Sequence, residues 1–390
     1  MKKIILAFDS FKGSVTSMQA ADIAGEAILK ECPYCEIVKF SVADGGEGTT
    51  DAICINMDVN YVICEVHDPL MNPMRVKYAI SNDGETAVME MAAASGLPLV
   101  PEELRNPMNT SSYGTGEMIK DAMNRGCSNI IIGIGGSATN DAGTGLLSAL
   151  GYRFLDANNR VLEPVGRNLS RIYSIDETRK HPLLEDVTFT IVCDVVNPMY
   201  GESGAAYVFG PQKGASTMDI KALDAGLRHY SELIRDIKGI DISLIEGAGA
   251  AGGMGGGLLP FLNAVLKSGI DTILDAQGFS ESLNGAGLVI TGEGKLDAQT
   301  CMGKALNGLL NRANAKNIPV IAIGGSVDDA DKLNEMGFTA VYPIQPGPVS
   351  LEQAMDTGFA VENIRRTIIQ IIRTIKLSMV GCAYEDVDVL

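Results

Sequence analysis

The stretch Ile130–Gly145 reads IIIGIGGSATNDAGTG, and its reading decides the fold of the whole chain. A short apolar run, Ile130–Ile132, leads into Gly133, Gly135, Gly136, Ser137, Thr139, Asn140 and Asp141. The following LLSALGY has the apolar spacing of a helix. The pattern predicts a buried strand, a glycine turn and a helix that opens behind capping-type residues. Small residues let backbone N–H groups point one way, and the first helical turn adds unpaired donors. Together they make a cradle for an anion such as phosphate. A strand-to-helix turn with no ligand is the plainer alternative, and the rest of the chain weighs between them.

Outward from that stretch, the same grammar recurs at both ends. Residues 1–60 read strand (Lys3–Phe8), helix (Ser17–Lys30), strand (Glu36–Val42), glycine turn and helix (Thr49–Met57). Residues 286–378 alternate strands at Gly287–Thr291, Pro319–Ile323 and Thr339–Pro343 with helices at Gly303–Ala315, Ala330–Met336 and Leu351–Lys376. Alternation of this kind predicts a parallel, doubly wound Rossmann-like α/β sheet of about five strands assembled from both blocks. The middle, 61–285, is mixed α/β: antiparallel Tyr61–Val66 and Arg75–Ile80, then Ala87–Met91, the glycine cradle, Thr188–Cys193 and a helix Met218–Asp236. It is expected to be a second domain inserted into the first, with the active site in the cleft between them. The segment 379–390 is expected to be an acidic tail.

Composition narrows the function. The 390 residues are 46% hydrophobic and 20% charged, as a packed two-domain protein would be. The net charge of −17 disfavours nucleic acid and anionic membrane surfaces but not a small anion held by local groups. The opening MKKIILAFDSFKG is broken by Asp9 too early for a signal peptide, so a cytoplasmic location is expected. Cys32-Pro33-Tyr34-Cys35 has redox-pair spacing but follows a helix instead of starting one, and reads as a loop. Nothing in the sequence speaks for or against a homo-oligomer.

Several polar clusters fall at the carboxyl ends of predicted strands, where ligands bind in open α/β sheets. They are Asp9-Ser10-Phe11-Lys12-Gly13-Ser14, Asp44-Gly45-Gly46-Glu47-Gly48-Thr49, Cys193-Asp194 with Asn197, and Thr291-Gly292-Glu293-Gly294-Lys295-Leu296-Asp297. Phe209–Ala215 presents Lys213 in a constrained loop. Gly247–Gly257 reads as a second anion cradle opening a helix Leu258–Leu266. The P-loop and the dinucleotide fingerprint are absent, which speaks against those nucleotide sites and against a nicotinamide dehydrogenase. The three histidines lie outside the glycine clusters, so proton transfer would fall to carboxylates or lysines. Cradles, lysines and carboxylates together suit phosphoryl transfer, with a non-catalytic sensor of a phosphorylated metabolite as the alternative.

These residues also carry a resemblance. DSFKGS (9–14), VADGGEGT (42–49), MAAASGL (91–97), IGIGGSATNDAG (132–143), CDVVNP (193–198), FGPQKGA (209–215), GAGAAGGMGGG (247–257) and TGEGKLDAQT (291–300) resemble the type I glycerate kinase family in the family's order. Phe8 replaces a usual proline and Lys295 a common arginine, and neither change removes a polar motif residue. The resemblance implies ATP- and Mg²⁺-dependent phosphorylation of D-glycerate to 2-phosphoglycerate. Within that expectation, Asp44 or Asp194 is the base at the glycerate hydroxyl, and Lys12, Lys213 and Lys295 hold carboxylate and phosphate charge. Glu47, Glu293 and Asp297 are the Mg²⁺ candidates. Asp9, Ser10, Gly45 and Gly46 bind substrate or phosphate, as do the cradles formed by Gly135, Gly136, Ser137, Thr139, Asn140 and by Gly252, Gly253, Gly255, Gly256.

Overall fold

The computed structural model describes residues 2–11, 13–42, 53–54, 57–297 and 304–381. Lys12, Asp44, Gly45, Gly46 and Glu47, most of the expected helix Thr49–Met57, and the expected tail beyond 381 lie outside the described residues. The strands in chain order are β1 (Lys3–Phe8), β2 (Glu36–Ser41), β3 (Val59–His67), β4 (Pro73–Ser81), β5 (Thr86–Glu90) and β6 (Asn129–Gly133). They continue with β7 (Arg153–Leu155), β8 (Ser174–Asp176), β9 (Thr188–Val192), β10 (Ala264–Lys267), β11 (Leu288–Leu296), β12 (Val320–Val327) and β13 (Ala340–Pro343). The chain divides into two compact units, Met1–Asp44 with Ile273–Leu390, and Gly45–Thr272.

The first unit is built on a five-stranded sheet ordered β13-β12-β11-β1-β2. Every pairing in it is parallel. Numbered within the unit this is the 2-1-3-4-5 order of doubly wound sheets, whose switch point lies between β1 and β11. After Lys3, β1 is apolar because a parallel strand is covered on both faces; Ile4 through Phe8 are fully buried. One covering helix, Ser17–Glu31, starts at a reciprocal cap in which Thr16 and Gln19 bond each other's backbone N–H. It buries Ala20, Ala24, Ala27 and Ile28 against Ile364, Ile368, Ile371 and Ile372 of the helix Thr357–Gly381. Both sets recur at three- and four-residue spacing, the stripe of a half-buried helix. The Cys32-to-Cys35 segment is a turn, with the Cys35 N–H donating to the Cys32 carbonyl.

The second unit holds a six-stranded mixed sheet ordered β10-β9-β6-β5-β4-β3 and a small β7–β8 ribbon. β3, β4 and β5 pair antiparallel, while β5, β6, β9 and β10 run parallel. The helix Tyr113–Asn124 lays Met118, Ile119, Ala122 and Met123 on the core, which also contains Tyr78, Met89, Ile130, Ile132, Phe189 and Ile191. The long helix Thr217–Lys238 contributes Leu223, Leu227, Tyr230 and Ile234. Ser216 and Asp219 form its capping box, and Gly239 ends it at φ +70.

Two sequence expectations are corrected. The helix expected over Leu258–Leu266 does not form: the helix there is Ala250–Gly257, and Ala264–Lys267 is the edge strand β10. Its pairing with β9 through Ala264↔Phe189 to Lys267↔Val192 outweighs local propensity in so short a segment. The cluster from Thr291 to Leu296, expected to follow a strand ending at Thr291, is the second half of β11, paired with β12 as far as Leu296↔Val327. Gly292 lets that strand lie close to β12; a Cβ on it would stand 2.2 Å from the Ile323 carbonyl oxygen.

Candidate functional site

In the second unit the site is organised by the loop between β6 and the helix Thr144–Ala149. Neighbouring parallel strands open their carboxyl ends on one edge, so this loop emerges beside the one that follows β9. The Ile134 N–H bonds the Val192 carbonyl at that edge. Gly135 and Gly136 are exposed, with nothing within 4 Å of a Cβ built on Gly135 and Gly136 at φ +69. The next residues turn inward. Leu97 N–H bonds Gly136 O, and Ala138 N–H bonds Ser95 O, pinning the loop to the segment 95–97. Ser137, Thr139 and Asn140 are all buried.

Lys213 reaches this loop from a short turn, Pro211–Lys213, that ends at Gly214. Gly214 has φ +88 and lies so close to Arg105 O that a Cβ would approach to 2.2 Å. Lys213 is only 3% exposed. Its Nζ donates to Ser137 Oγ at 2.8 Å and to the Thr139 carbonyl at 2.7 Å. Burial pulls its pKa down to about 7, partly opposed by the negative charge of Asp141. A buried ammonium resting only on neutral oxygens is costly to hold, and an incoming anion would relieve it. Among the described residues the buried polar atoms Thr139 Oγ1, Asn140 Oδ1 and Asn140 Nδ2 have no hydrogen-bond partner, and orphans of this kind are rare unless water or a ligand completes them.

The sequence reading left out the other half of this arrangement. Asp141 is completely buried. Its carboxylate accepts from Ser112 N–H (2.8 Å), Ser112 Oγ (2.7 Å), Gly143 N–H (3.2 Å) and Gly145 N–H (3.1 Å). Burial pushes its pKa upward, and these four donors pull the other way. Thr110, Ser111, Ser112 and Thr115 are each buried to 1% exposure or less. That density of hydroxyls just ahead of an apolar helix was the available signal.

The glycines 252–257 have a packing reason. Ala251, Gly252 and Gly253 turn through the left-handed region at φ +50, +68 and +89. A Cβ on Gly252 would sit 2.2 Å from Thr139 O, and one on Gly257 2.0 Å from Ala142 O. Gly255 packs equally close to Gly247 O. The Gly253 and Gly256 N–H groups are already donated to Gly249 O and Ala248 O. In this arrangement those two are not available to an anion; the segment is a backbone-to-backbone buttress for the Thr139–Ala142 loop.

Asp194 follows β9, and its Oδ1 accepts from the Gly269 N–H at 2.9 Å. Asn197 Nδ2 donates to Ser203 O, and Asn197 O accepts from Gly249 N–H, which ties this loop to the glycine segment.

In the first unit, Asp9 and Ser10 leave β1 at the switch point, where Asp9 N–H bonds Gly292 O of β11. Asp9 is buried to 7% exposure, and its Oδ1 accepts from the Ser10 N–H at 2.5 Å. The register Phe8↔Gly292 sets Glu293 beside Asp9 in sequence order across the two strands. Lys295 pairs with Asp297 at 3.0 Å and Asp328 at 3.1 Å, and its side chain is 58% exposed. The Asp297 hydrogen bond, then that of Asp328, raises its pKa. Among the described residues no three His, Cys, Asp or Glu side chains form a metal-type cluster. No helix among them is long and apolar enough to cross a membrane.

With this geometry in hand, similarity to known proteins places the chain. The glycerate kinase family model matches residues 4–376. A glycerate 2-kinase of Escherichia coli is 42% identical over 97% of this chain and 99% of its own. Glycerate kinases of Bacillus cereus (43% identical, 94% and 96% coverage) and Haemophilus influenzae (45%, 88% and 91%) align similarly. A Salmonella typhimurium crystal structure, provisionally named glycerate kinase 2, superposes with TM-score 0.82 at 40% identity, covering 97% of this chain and 99% of that one. A family match over nearly the whole chain, joined by a fold shared over its whole length, leaves one conclusion: the chain belongs to the glycerate kinase family.

Proposed function

We propose that the protein transfers the γ-phosphoryl group of ATP to the 2-hydroxyl of D-glycerate, giving 2-phosphoglycerate and ADP. The observation that carries this reading is Lys213, a buried cation beside unpartnered Thr139 and Asn140 atoms in the loop after β6. Phosphoryl transfer needs positioning and charge neutralisation more than a covalent catalyst. Lys213, Ser137, Thr139 and Asn140 hold the anionic part of the substrate, with Gly135 and Gly136 leaving room at the loop tip. Asp194 accepts the hydroxyl proton as the O–P bond forms and the bond to the β-phosphate oxygen breaks. Asp44 remains the other candidate for that role.

Mg²⁺ suits the oxygen-only donors Glu293 and Asp297, with Glu47 as a third candidate outside the described residues. When bound it neutralises charge on the transferring phosphates. The extended backbone between Glu293 and Asp297 spans up to about 13 Å, so the two serve separate positions and not one chelate. Asp9 and Ser10, at the switch point of the first unit, bind substrate or phosphate.

ADP release from Mg-ATP with D-glycerate, and none with L-glycerate or glycerol, tests the reaction, and the position of the phosphate in the product tests the regiochemistry. No ADP with D-glycerate would sink the proposal. Asp194→Asn keeps an acceptor for the Gly269 N–H and removes the base. It should lower kcat by roughly 10²–10⁴ while moving KM for ATP about twofold at most. Normal turnover in that variant would transfer the role to Asp44.

A further inference from the structure

Asp141 lies outside the residues assigned above, yet it is the charge most closely tied to Lys213. No ammonium or guanidinium lies within ion-pair distance of it among the described residues; three of its four donors are backbone N–H groups, which can only donate, and the fourth is the Ser112 hydroxyl, whose oxygen already accepts from the Leu146 N–H. A proton on this carboxyl would face N–H groups on most sides, so the cage favours the ionised form and works against burial, the larger influence. Lys213, in turn, touches the Ser137 hydroxyl and the Thr139 carbonyl and, among the described residues, no carboxylate. One loop of five residues, Ser137 to Asp141, is therefore strung between a buried cation and a buried anion. Asn140, with both amide atoms unpartnered, is held between them.

We propose that Asp141 is the positioning residue of the Lys213 site: its caged carboxylate fixes the Ser137–Asn140 loop and keeps Lys213 positively charged to receive the substrate anion. The inference rests on the reading that Lys213 holds that anion. At low local dielectric an ionic field acts beyond contact distance. Among the described residues, the Asp141 charge is what opposes the effect of burial on Lys213. The helices packed around the carboxylate offer it no competing charge. Tyr113–Asn124 presents Ser112 at its head, Thr144–Ala149 presents N–H groups, and Thr217–Lys238 presents Tyr230. Burial and the Asp141 charge raise the Tyr230 pKa, with a smaller push from Tyr152, so that phenol stays neutral.

The test is kcat/KM for D-glycerate with Mg-ATP between pH 6 and 9, with a thermal melt of every variant. The wild type should lose activity on the alkaline side as Lys213 sheds its proton. Asp141→Asn should move that limb about one pH unit lower, carried by KM. Asp141→Glu, which keeps the charge, should return the limb toward the wild-type position. Ser112→Ala removes one donor of four and should shift the limb in the same direction by less. A purely structural role would lower kcat and Tm without moving the limb. A folded Asp141→Asn with an unmoved limb overturns the inference; should that variant fail to fold, an unmoved limb in folded Ser112→Ala does so. Lys213→Met separates the two claims. Unchanged KM there removes Lys213 from substrate binding and ends both. A raised KM with an unmoved Asp141→Asn limb leaves the reading standing and overturns the coupling alone.

Discussion

Two lysines that look alike in the sequence are opposites in the structure. Lys213 and Lys295 each stand in a glycine-bearing motif. Lys213 is 3% exposed and rests on two neutral oxygens. Lys295 has a side chain 58% exposed and shared between Asp297 and Asp328. Burial lowers one pKa, and hydrogen-bonded carboxylates raise the other. The difference teaches where an anion gains most. A lysine already neutralised at the surface has little left to offer, whereas a buried, poorly compensated one stores an interaction that substrate binding releases.

The comparison can be broken by substitution. Lys213→Met should reduce kcat/KM for D-glycerate by about 10²–10³, most of it in KM, as loss of one preorganised donor to an anion does. A loss below tenfold would remove the contrast. The buttress behind the loop comes next. Gly252→Ala adds a Cβ 2.2 Å from Thr139 O at φ +68, and should cost about 3 kcal/mol in unfolding free energy by denaturant titration. An unchanged midpoint would mean that the loop yields easily and that Lys213 is not rigidly seated.

The pH dependence of stability is a third handle. The folded pKa of Lys213, about 7, lies below the unfolded value near 10.5. Between these values the unfolded chain holds more protons, so the penalty of burying the charge is full below pH 7 and fades as pH rises toward 10.5. Without substrate, wild type should therefore gain about 2 kcal/mol relative to Lys213→Met between pH 7 and pH 9. Parallel stability curves would show that Lys213 titrates normally. Lys295→Met should have the smallest effect, with a denaturation midpoint close to that of the wild type, because an exposed ion pair is screened by solvent. Its KM shifts should stay below those of Lys213→Met. A larger effect there would reverse the ranking.

Much of the fold was legible because its elements repeat local rules. β1, β6 and β12 announce themselves as apolar runs, and the helices Ser17–Glu31 and Thr217–Lys238 by capping residues and helical spacing. The edge strand β10 was misread as a helix because four residues carry no decisive period, and only its partner β9 settles it. The strand expected to end at Thr291 runs on to Leu296 because pairing with β12, which no local pattern reveals, carries it through the polar cluster.

At the proposed site, the candidate residues Asp9, Ser137, Asn140, Asp194 and Lys213 were named from their motifs alone. Their environments were not. Lys213 meets Ser137 across 76 residues of chain, and Asp141 meets Ser112 across 29. Periodicity and propensity describe neighbours within a few positions, so they cannot say which lysine is buried or which carboxylate is caged. Those properties arise from packing that brings distant segments together. Desolvation and hydrogen-bond donors act there over a few ångströms and turn equal side chains into unequal ones.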